Sequence, residues 1–500
     1  MRPGSSGADS GPRLILLSLV LLAFGLRLYK LDYQSLWRDE MDAILFARQD
    51  LSQLLSLFVT PGHNGPLYYA VLHGWVGLVG DSEFSVRFLS LLGGVLVVPV
   101  IYVVGRHLIG RKASMVAAVL SATSPYLIWY GQEGKMYALL VLASMLSTYV
   151  YLLALERNRL YLWACYVALV SVSMYVHLLA VLILPFHLLL FFVTWPRWRR
   201  AWKGWLAAFI LLALPFLPLA RWEVALLVRP FTTGHQFYPL HQILAILLSA
   251  FSLNAAPHQN VPVIALFVFL LLAGLILPRR PWRAEVEAAG QQTAGVHRER
   301  VILALYLFLP VVCLFGISLG MPIFTDRYLI TVVPAFLLLL ARGLQAVKMR
   351  SATLASACLG LVLVSNLYVV ALQGHTQIKS DFRSVVRYVE EDGRGDLLVF
   401  LIPQVVPVFD YYYRGGFDYA DAPYTNGGMG GPELERYMEQ ATEGYDEVWL
   451  IVSEAELWDS RGLAQDWFEG RGALLGQRSF ARVDAYVYSL DGAAGGLEDG

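Results

Sequence analysis

The stretch SLWRDEMD (Ser35 to Asp42) puts three acids within a few residues of a tryptophan and an arginine, just after the first long apolar run. Asp39 and Glu40 are adjacent carboxylates. On a helix such neighbours point about 100° apart, so their roles differ: one faces a membrane-level cavity and the other braces it. A carboxylate so placed could take a proton from an acceptor hydroxyl. A purely structural reading also fits. Asp39 is a good helix N-cap, and acids favour a helix start through its dipole.

Two further sites have the same flavour. YGQEGKMYAL places Glu133, Lys135 and then Tyr137 against an apolar segment. Charge beside hydrocarbon is costly and needs a reason. Snorkelling of a long side chain suits Lys135 better than Glu133. MPIFTDRYLITVVP carries Asp326, Arg327 and Tyr328. The fork of an arginine fits phosphate oxygens bidentately, and an Asp326–Arg327 pair is the structural alternative. PGHNGPLYY adds His63, Asn64, Tyr68 and Tyr69. His63 could bind phosphate, or a metal with one of His235, His241 or His258; a lone interfacial histidine is more often structural. The tyrosine pair suits an interface belt as well as a sugar platform. Carboxylates and cations gathered beside lipid fit a phosphorylated lipid substrate, the cations stabilising a departing phosphate.

These residues must be positioned by membrane helices. The 500 residues are 57% hydrophobic and 15% charged, far below the charge of a soluble domain. About eleven apolar runs approach spanning length: 14–31, 84–105, 113–130, 135–155, 160–176, 178–195, 204–221, 261–278, 301–320, 328–345 and 352–372. Basic clusters fall in alternate loops: Arg106, Arg111 and Lys112; Arg157 and Arg159; WPRWRRAWK; PRRPWR; Arg342, Lys348 and Arg350. The positive-inside rule makes those loops cytoplasmic. The N-terminus is then cytoplasmic and the candidate sites face outward, as does the tail, in a multi-pass plasma (inner) membrane protein.

The expected fold is a polytopic α-helical membrane domain, residues 1–372, with a small outer α/β domain, 373–500. In the first outer loop, Met41, Ile44, Leu45, Leu51, Leu54, Leu55 and Phe58 repeat at helical spacing, and GPLYYAVLHGWVGLVG is too short to span; both read as interfacial helices. HQILAILLSAF is similar. From residue 373 onward 23 Asp+Glu stand against 10 Lys+Arg. DLLVFLI, DEVWLIV and DAYVYSL read as strands, and DFRSVVRYVEE, PELERYMEQA and RGLAQDWFEG as helices. TNGGMGGP lacks dinucleotide-fingerprint spacing and reads as a surface turn. Cys165, Cys313 and Cys358 lie in apolar runs, without disulfide or zinc spacing. The absence of a basic tract or aromatic nucleic-acid motif argues against a nucleic-acid partner.

In order along the chain, SLWRDEMDAILFAR, HNGPLYYAVLHGWVGLVGDSEFSVRFLSLLGG, YGQEGKMYALL, DRYLITVVPAF and KSDFRSVVRYVEE resemble segments of one family. They look like the polyprenyl-phosphate-sugar glycosyltransferases of the GT-C superfold, in the protein O-mannosyltransferase and aminoarabinose-transferase-like branch. The resemblance implies transfer of a sugar from a polyprenyl-phosphate donor to an acceptor hydroxyl, with inversion. It makes Asp39 the general base, Glu40 its partner and Glu133 the acid of the second loop. It gives His63, Asn64, Tyr68, Lys135, Tyr137, Arg327 and Tyr328 to substrate binding. Some relatives use a divalent metal ion, so that cofactor stays open. Two positions depart from the pattern: Lys135 stands where arginine is usual, and Asn64–Gly65 precedes Pro66 where the family has proline, which implies a less rigid turn.

Two other classes compete. A lipid-linked-sugar transporter or flippase calls for charges near mid-bilayer in broken or repeated helices. A cell-envelope assembly protein without catalysis needs neither Asp39 nor Arg327. The sugar, and an acceptor that could be protein, glycolipid or envelope glycan, are not specified by these motifs.

Overall fold

The computed structural model describes residues 10–59, 64–228, 235–254, 260–278 and 293–490. These fall into two compact units: Met1–Leu31 with Phe46–Gln373, and Asp32–Leu45 with Gly374–Gly500. A cut of the sequence after 372 leaves Asp32–Leu45 with the membrane helices; in the fold this segment is part of the C-terminal unit.

The first unit is helical. Among the described residues six helices are long and apolar enough to cross a membrane: Gly11–Leu28, Glu83–Ile109, Tyr137–Arg157, Arg298–Ser318, Asp326–Lys348 and Ala352–Gln373. A seventh span is possible if the pair Leu178–Val193 and Trp195–Leu214, bent by 82°, counts as one. The run expected at 113–130 is broken at Ser124 into Arg111–Thr123 and Pro125–Gly131. Those expected at 160–176 and 261–278 are the shorter helices Leu160–Val176 and Val261–Ile276.

The helix Val333–Lys348 is buried along almost its whole length. It packs against Val261–Ile276, Arg111–Thr123 and Ala352–Gln373. Its approach to Val261–Ile276 depends on two glycines. A Cβ on Gly343 would meet the Leu270 carbonyl oxygen at 2.0 Å, and one on Gly274 would meet that of Leu339 at 2.2 Å. Small residues let helix backbones come this close in lipid. Buried Arg342 donates to the carbonyls of Gly274 and Leu277, taking up oxygens at the end of that neighbouring helix.

The segment after the first apolar helix is helical, but in three pieces: Arg38–Ala47, Leu51–Ser56 and Pro66–Val79. The apolar repeat from Met41 to Phe58 is interrupted at Asp50, whose extended backbone starts the second piece. Asp39 is inside the first turn of Arg38–Ala47 rather than capping it; of the structural readings, the dipole argument applies and the N-cap does not. Leu240–Leu253 is a helix, as HQILAILLSAF suggests.

The second unit is built on a five-stranded sheet: β1 (Leu397–Phe400), β2 (Asp418–Asp421), β3 (Glu447–Ser453), β4 (Ala473–Phe480) and β5 (Val483–Ser489), in the order β2-β1-β3-β5-β4. β1 runs parallel to β2 and β3; β5 is antiparallel to β3 and β4. The central strands alternate between two buried faces. Val399, Val448 and Leu450 pack with Met438 and Phe468 of the helices Gly431–Ala441 and Leu463–Arg471. On the other face Trp449 meets Tyr388 of Phe382–Asp392, and Phe400 meets Phe409 of Val406–Tyr412. β1, β3 and β5 coincide with the expected strands. β2 and β4 are edge strands with mostly exposed side chains, so they lack the burial signal that marks the other three.

Candidate active site

In the first unit the site is built on the break at Ser124. Pro125 starts the short helix Pro125–Gly131, and Ser124 Oγ accepts from Leu127 N–H at 3.3 Å. The carbonyls freed at the break are taken by Arg27, fully buried, which donates to Ser121 O at 3.3 Å and Ala122 O at 3.4 Å. Gln132 donates to Arg27 O at 3.0 Å and Tyr29 O at 2.8 Å. The turn that follows is tight, with Lys135 N–H on Glu133 O at 2.7 Å. Glu133 and Lys135 are thereby buried, at 1% and 6% exposure.

A lattice of rings surrounds this turn. Tyr126, Tyr130 and Tyr137 follow one another at 4.8 and 5.2 Å between ring centres. Tyr137 lies 6.0 Å from His177, and His177 5.4 Å from Tyr328. Tyr328 in turn is 6.2 Å from His235. The cations sit over the rings, Lys135 Nζ 5.7 Å from Tyr69 and the Arg327 guanidinium 5.8 Å from Tyr137. Tyr68 OH is 3.5 Å from Ser90 Oγ, which donates to Lys135 O at 2.8 Å. Asp326, at the start of the 3-10 turn Asp326–Val332, accepts from Tyr130 OH at 3.3 Å. The adjacent pair Asp326–Arg327 is thus divided: Asp326 reaches Tyr130, and Arg327 reaches Tyr137.

Asn64 and Gly65 hold the edge of the lattice. Asn64 Oδ1 accepts from Leu178 N–H at 2.9 Å, and its Nδ2 lies 3.0 Å from His177 Nε2. Gly65 has φ +85, which proline cannot adopt because its ring fixes φ near −65°. The departure from the family's proline therefore comes with a backbone that only a flexible residue tolerates. A Cβ there would also meet the Val176 carbonyl at 3.0 Å. His177 lies between the helices Leu160–Val176 and Leu178–Leu182; burial first, then the charges of Arg327 and Lys135, lower its pKa. His235 is shifted the same way by partial burial and by Arg327. Two cations therefore act on one neutral imidazole, an environment that favours an anion.

Asn64, Tyr68, Glu133, Lys135, Tyr137, Arg327 and Tyr328 thus all border this connected set in the first unit. His63 lies outside the described residues, as does His258, one of the three histidines (His235, His241 and His258) weighed as its metal partner. Among the described residues no group of three His, Cys, Asp or Glu side chains could hold a metal ion.

Asp39 and Glu40 belong to the second unit. Glu40 is fully buried and receives Lys379 Nζ at 2.9 Å; that ammonium also lies 5.7 Å from the Trp37 ring. Asp39, one position earlier, is half-buried. The two adjacent carboxylates do differ in environment.

Residues 63–222 match the model of a family described as dolichyl-phosphate-mannose-protein mannosyltransferase. ArnT from Cupriavidus metallidurans in the apo state superimposes with a TM-score of 0.59 at 14% identity, over 96% of this chain and 98% of that one. The same protein bound to undecaprenyl phosphate gives 0.57 at 13% identity, over 96% and 98%. The chain has the GT-C fold. The archaeal oligosaccharyltransferase AglB from Archaeoglobus fulgidus, in complex with an inhibitory peptide and a dolichol-phosphate, gives 0.54 at 11% identity over 96% and 74%. A search of curated proteins finds no significant match. The GT-C resemblance read from the five motifs stands.

Two partners carry little signal in the sequence. His177 carries the signal of an isolated ionisable residue between apolar runs (MYVHLLAV). Lys379 lies in the quoted KSDFRSVVRYVEE, but nothing local pairs it with position 40.

Proposed function

We propose that this protein transfers a sugar, hexosyl or pentosyl, from a polyprenyl-phosphate donor to an acceptor hydroxyl, with inversion. In this reading transfer occurs at the outer face of the plasma (inner) membrane, with the N-terminus cytoplasmic and the C-terminal unit extracytoplasmic. The observation that carries it is a pair of cations in a membrane-type helical unit, Lys135 over the Tyr69 ring and Arg327 over the Tyr137 ring, in one lattice with His177 and Tyr328. Solved proteins of this fold hold undecaprenyl phosphate and dolichol phosphate, which supports a lipid phosphate as the anion here.

Asp39 accepts the proton of the acceptor hydroxyl as its oxygen bonds to the anomeric carbon. The bond from that carbon to the phosphate oxygen breaks, and the lipid phosphate leaves with the electron pair. Lys135 and Arg327 stabilise its developing charge. Asn64, Tyr68, Tyr137, Tyr328 and His63 contact the donor head group. Glu133 balances the cations, and Glu40 braces the turn that carries Asp39.

The test incubates purified protein with a panel of polyprenyl-phosphate sugars and hydroxyl acceptors, with and without chelator, and follows release of lipid phosphate. Acceptor-dependent release, lost in Asp39→Asn, is the expected result. Lipid translocation without release by the wild type would favour a flippase, and unimpaired transfer by the variant would remove Asp39 as base.

A further inference from the structure

Asp39 is flanked by two ion pairs, both within the second unit. On one side Arg38 meets Glu454 at 3.1 Å; on the other Glu40 meets Lys379 at 2.9 Å. The second pair is buried, with 7% and 0% of the two side chains exposed. Such a pair contributes little net stability against an apolar replacement, but removing one partner leaves a buried charge unmatched. Its best-attested use is to fix a register.

The surrounding contacts fix the same segment. Gln34 Oε1 accepts from the N–H groups of Ile378 and Lys379 at 2.9 and 3.2 Å, and its Nε2 donates to Thr376 O at 2.8 Å. Leu36 N–H donates to Tyr412 OH at 2.8 Å, and Arg383 donates to Asp32 O at 2.9 Å. Glu454 directly follows β3 and has φ +49. A non-glycine residue held in that region marks a place where the surrounding structure imposes the conformation. It also follows one of two adjacent parallel strands, β1 and β3, whose connections leave in opposite directions. Ends of that kind are where α/β sheets present their functional groups; here the end holds Arg38.

We propose that Lys379 and Glu454 are positioning residues for the transfer reaction: they clamp Glu40 and Arg38 and so fix where Asp39 presents its carboxylate. This rests on the transferase reading above.

The test uses the full-length protein with two readouts: hydrogen exchange of the amides of residues 35–42, and steady-state transfer with a donor that the wild type turns over. Lys379→Met should speed exchange in that segment about tenfold and lower kcat by up to about 100-fold, with donor KM unchanged. Lys379→Arg, which keeps the charge, should recover most of kcat. Glu454→Gln, at a partly exposed pair, should show both effects more weakly. Wild-type exchange in Lys379→Met, or a fall in donor binding that matches the fall in kcat, would overturn the proposal. Should that variant fail to fold, Glu454→Gln decides: unchanged exchange and kcat overturn it. A wild type that transfers no sugar from the panel would refute the transferase reading, while the exchange data would still judge the clamp.

Discussion

Residues 35–42 and residues 130–137 are both short turns that bury an acid near a cation, and they are held in different ways. In the first, Glu40 depends on Lys379, 339 positions away, and Arg38 on Glu454. In the second, the turn closes on itself between Glu133 and Lys135, and its walls are Tyr69, Tyr130 and Tyr137. A single charge can undo the first turn. The second spreads its stabilisation over ring contacts worth about 0.5–1.5 kcal/mol each, so no one of them dominates. Under the proposed reaction, directional ion pairs would aim a base, and a ring-lined cationic wall would hold a phosphate and then release it.

The largest effect should fall on the first turn. Asp39→Asn should lower transfer by about 10²–10⁴-fold, while Glu133→Gln lowers it by a smaller factor. Equal losses in the lipid-phosphate release assay would break the comparison by making Glu133 an equal candidate for the base. Next, Arg327→Ala should cost about 10²–10³-fold in kcat/KM, and Arg327→Lys should recover only part of it, because the bidentate fork is gone. Full recovery by lysine would show that charge alone suffices.

Stability separates the regions further. His177 has a pKa lowered by burial, Arg327 and Lys135, so the folded protein binds its proton less readily than the unfolded chain. The resulting stability is complete above about pH 6.5. It declines as the pH falls below that value, at up to about 1.4 kcal/mol per unit. Melting curves between pH 7 and 5 should show this decline, and His177→Gln should flatten it. Gly65→Pro matches the motif of the family that the chain resembles, yet should destabilise by more than about 1 kcal/mol, because φ +85 excludes proline; an unchanged melting temperature would contradict this. The smallest effect belongs to Lys135→Arg. It should change kcat/KM by no more than about threefold, since either cation can sit over the Tyr69 ring.

Much of this was legible in the sequence because it depends on local pattern. Apolar runs announce helices, and three buried strands of the C-terminal sheet announce themselves as continuous β-branched and aromatic stretches. Pro66 opens the helix Pro66–Val79, a position that suits proline because its missing N–H has no intrahelical partner there. What failed locally has a local cause: edge strands β2 and β4 bury too little to show a period, and Asp50 interrupts an apolar repeat that spacing alone treats as one helix. His63 and His258 lie outside the described residues.

The sequence by itself determined the helical membrane class, the acidic α/β tail and the three charged segments, since composition and periodicity act along the chain. The adjacency of Asp39 and Glu40 implied two roles without saying which residue has which. Only the tertiary structure decided that Glu40 is bound by Lys379, that His177 lies under the influence of Lys135 and Arg327, and that Asp32–Leu45 belongs with the C-terminal unit. Each of these depends on side chains tens to hundreds of positions apart. Only folding brings such residues together, and burial then makes their pairing obligatory. "WRDE" reads in the sequence as a helix start; the fold makes it the first turn of Arg38–Ala47, with Arg38 held by Glu454 and Glu40 by Lys379.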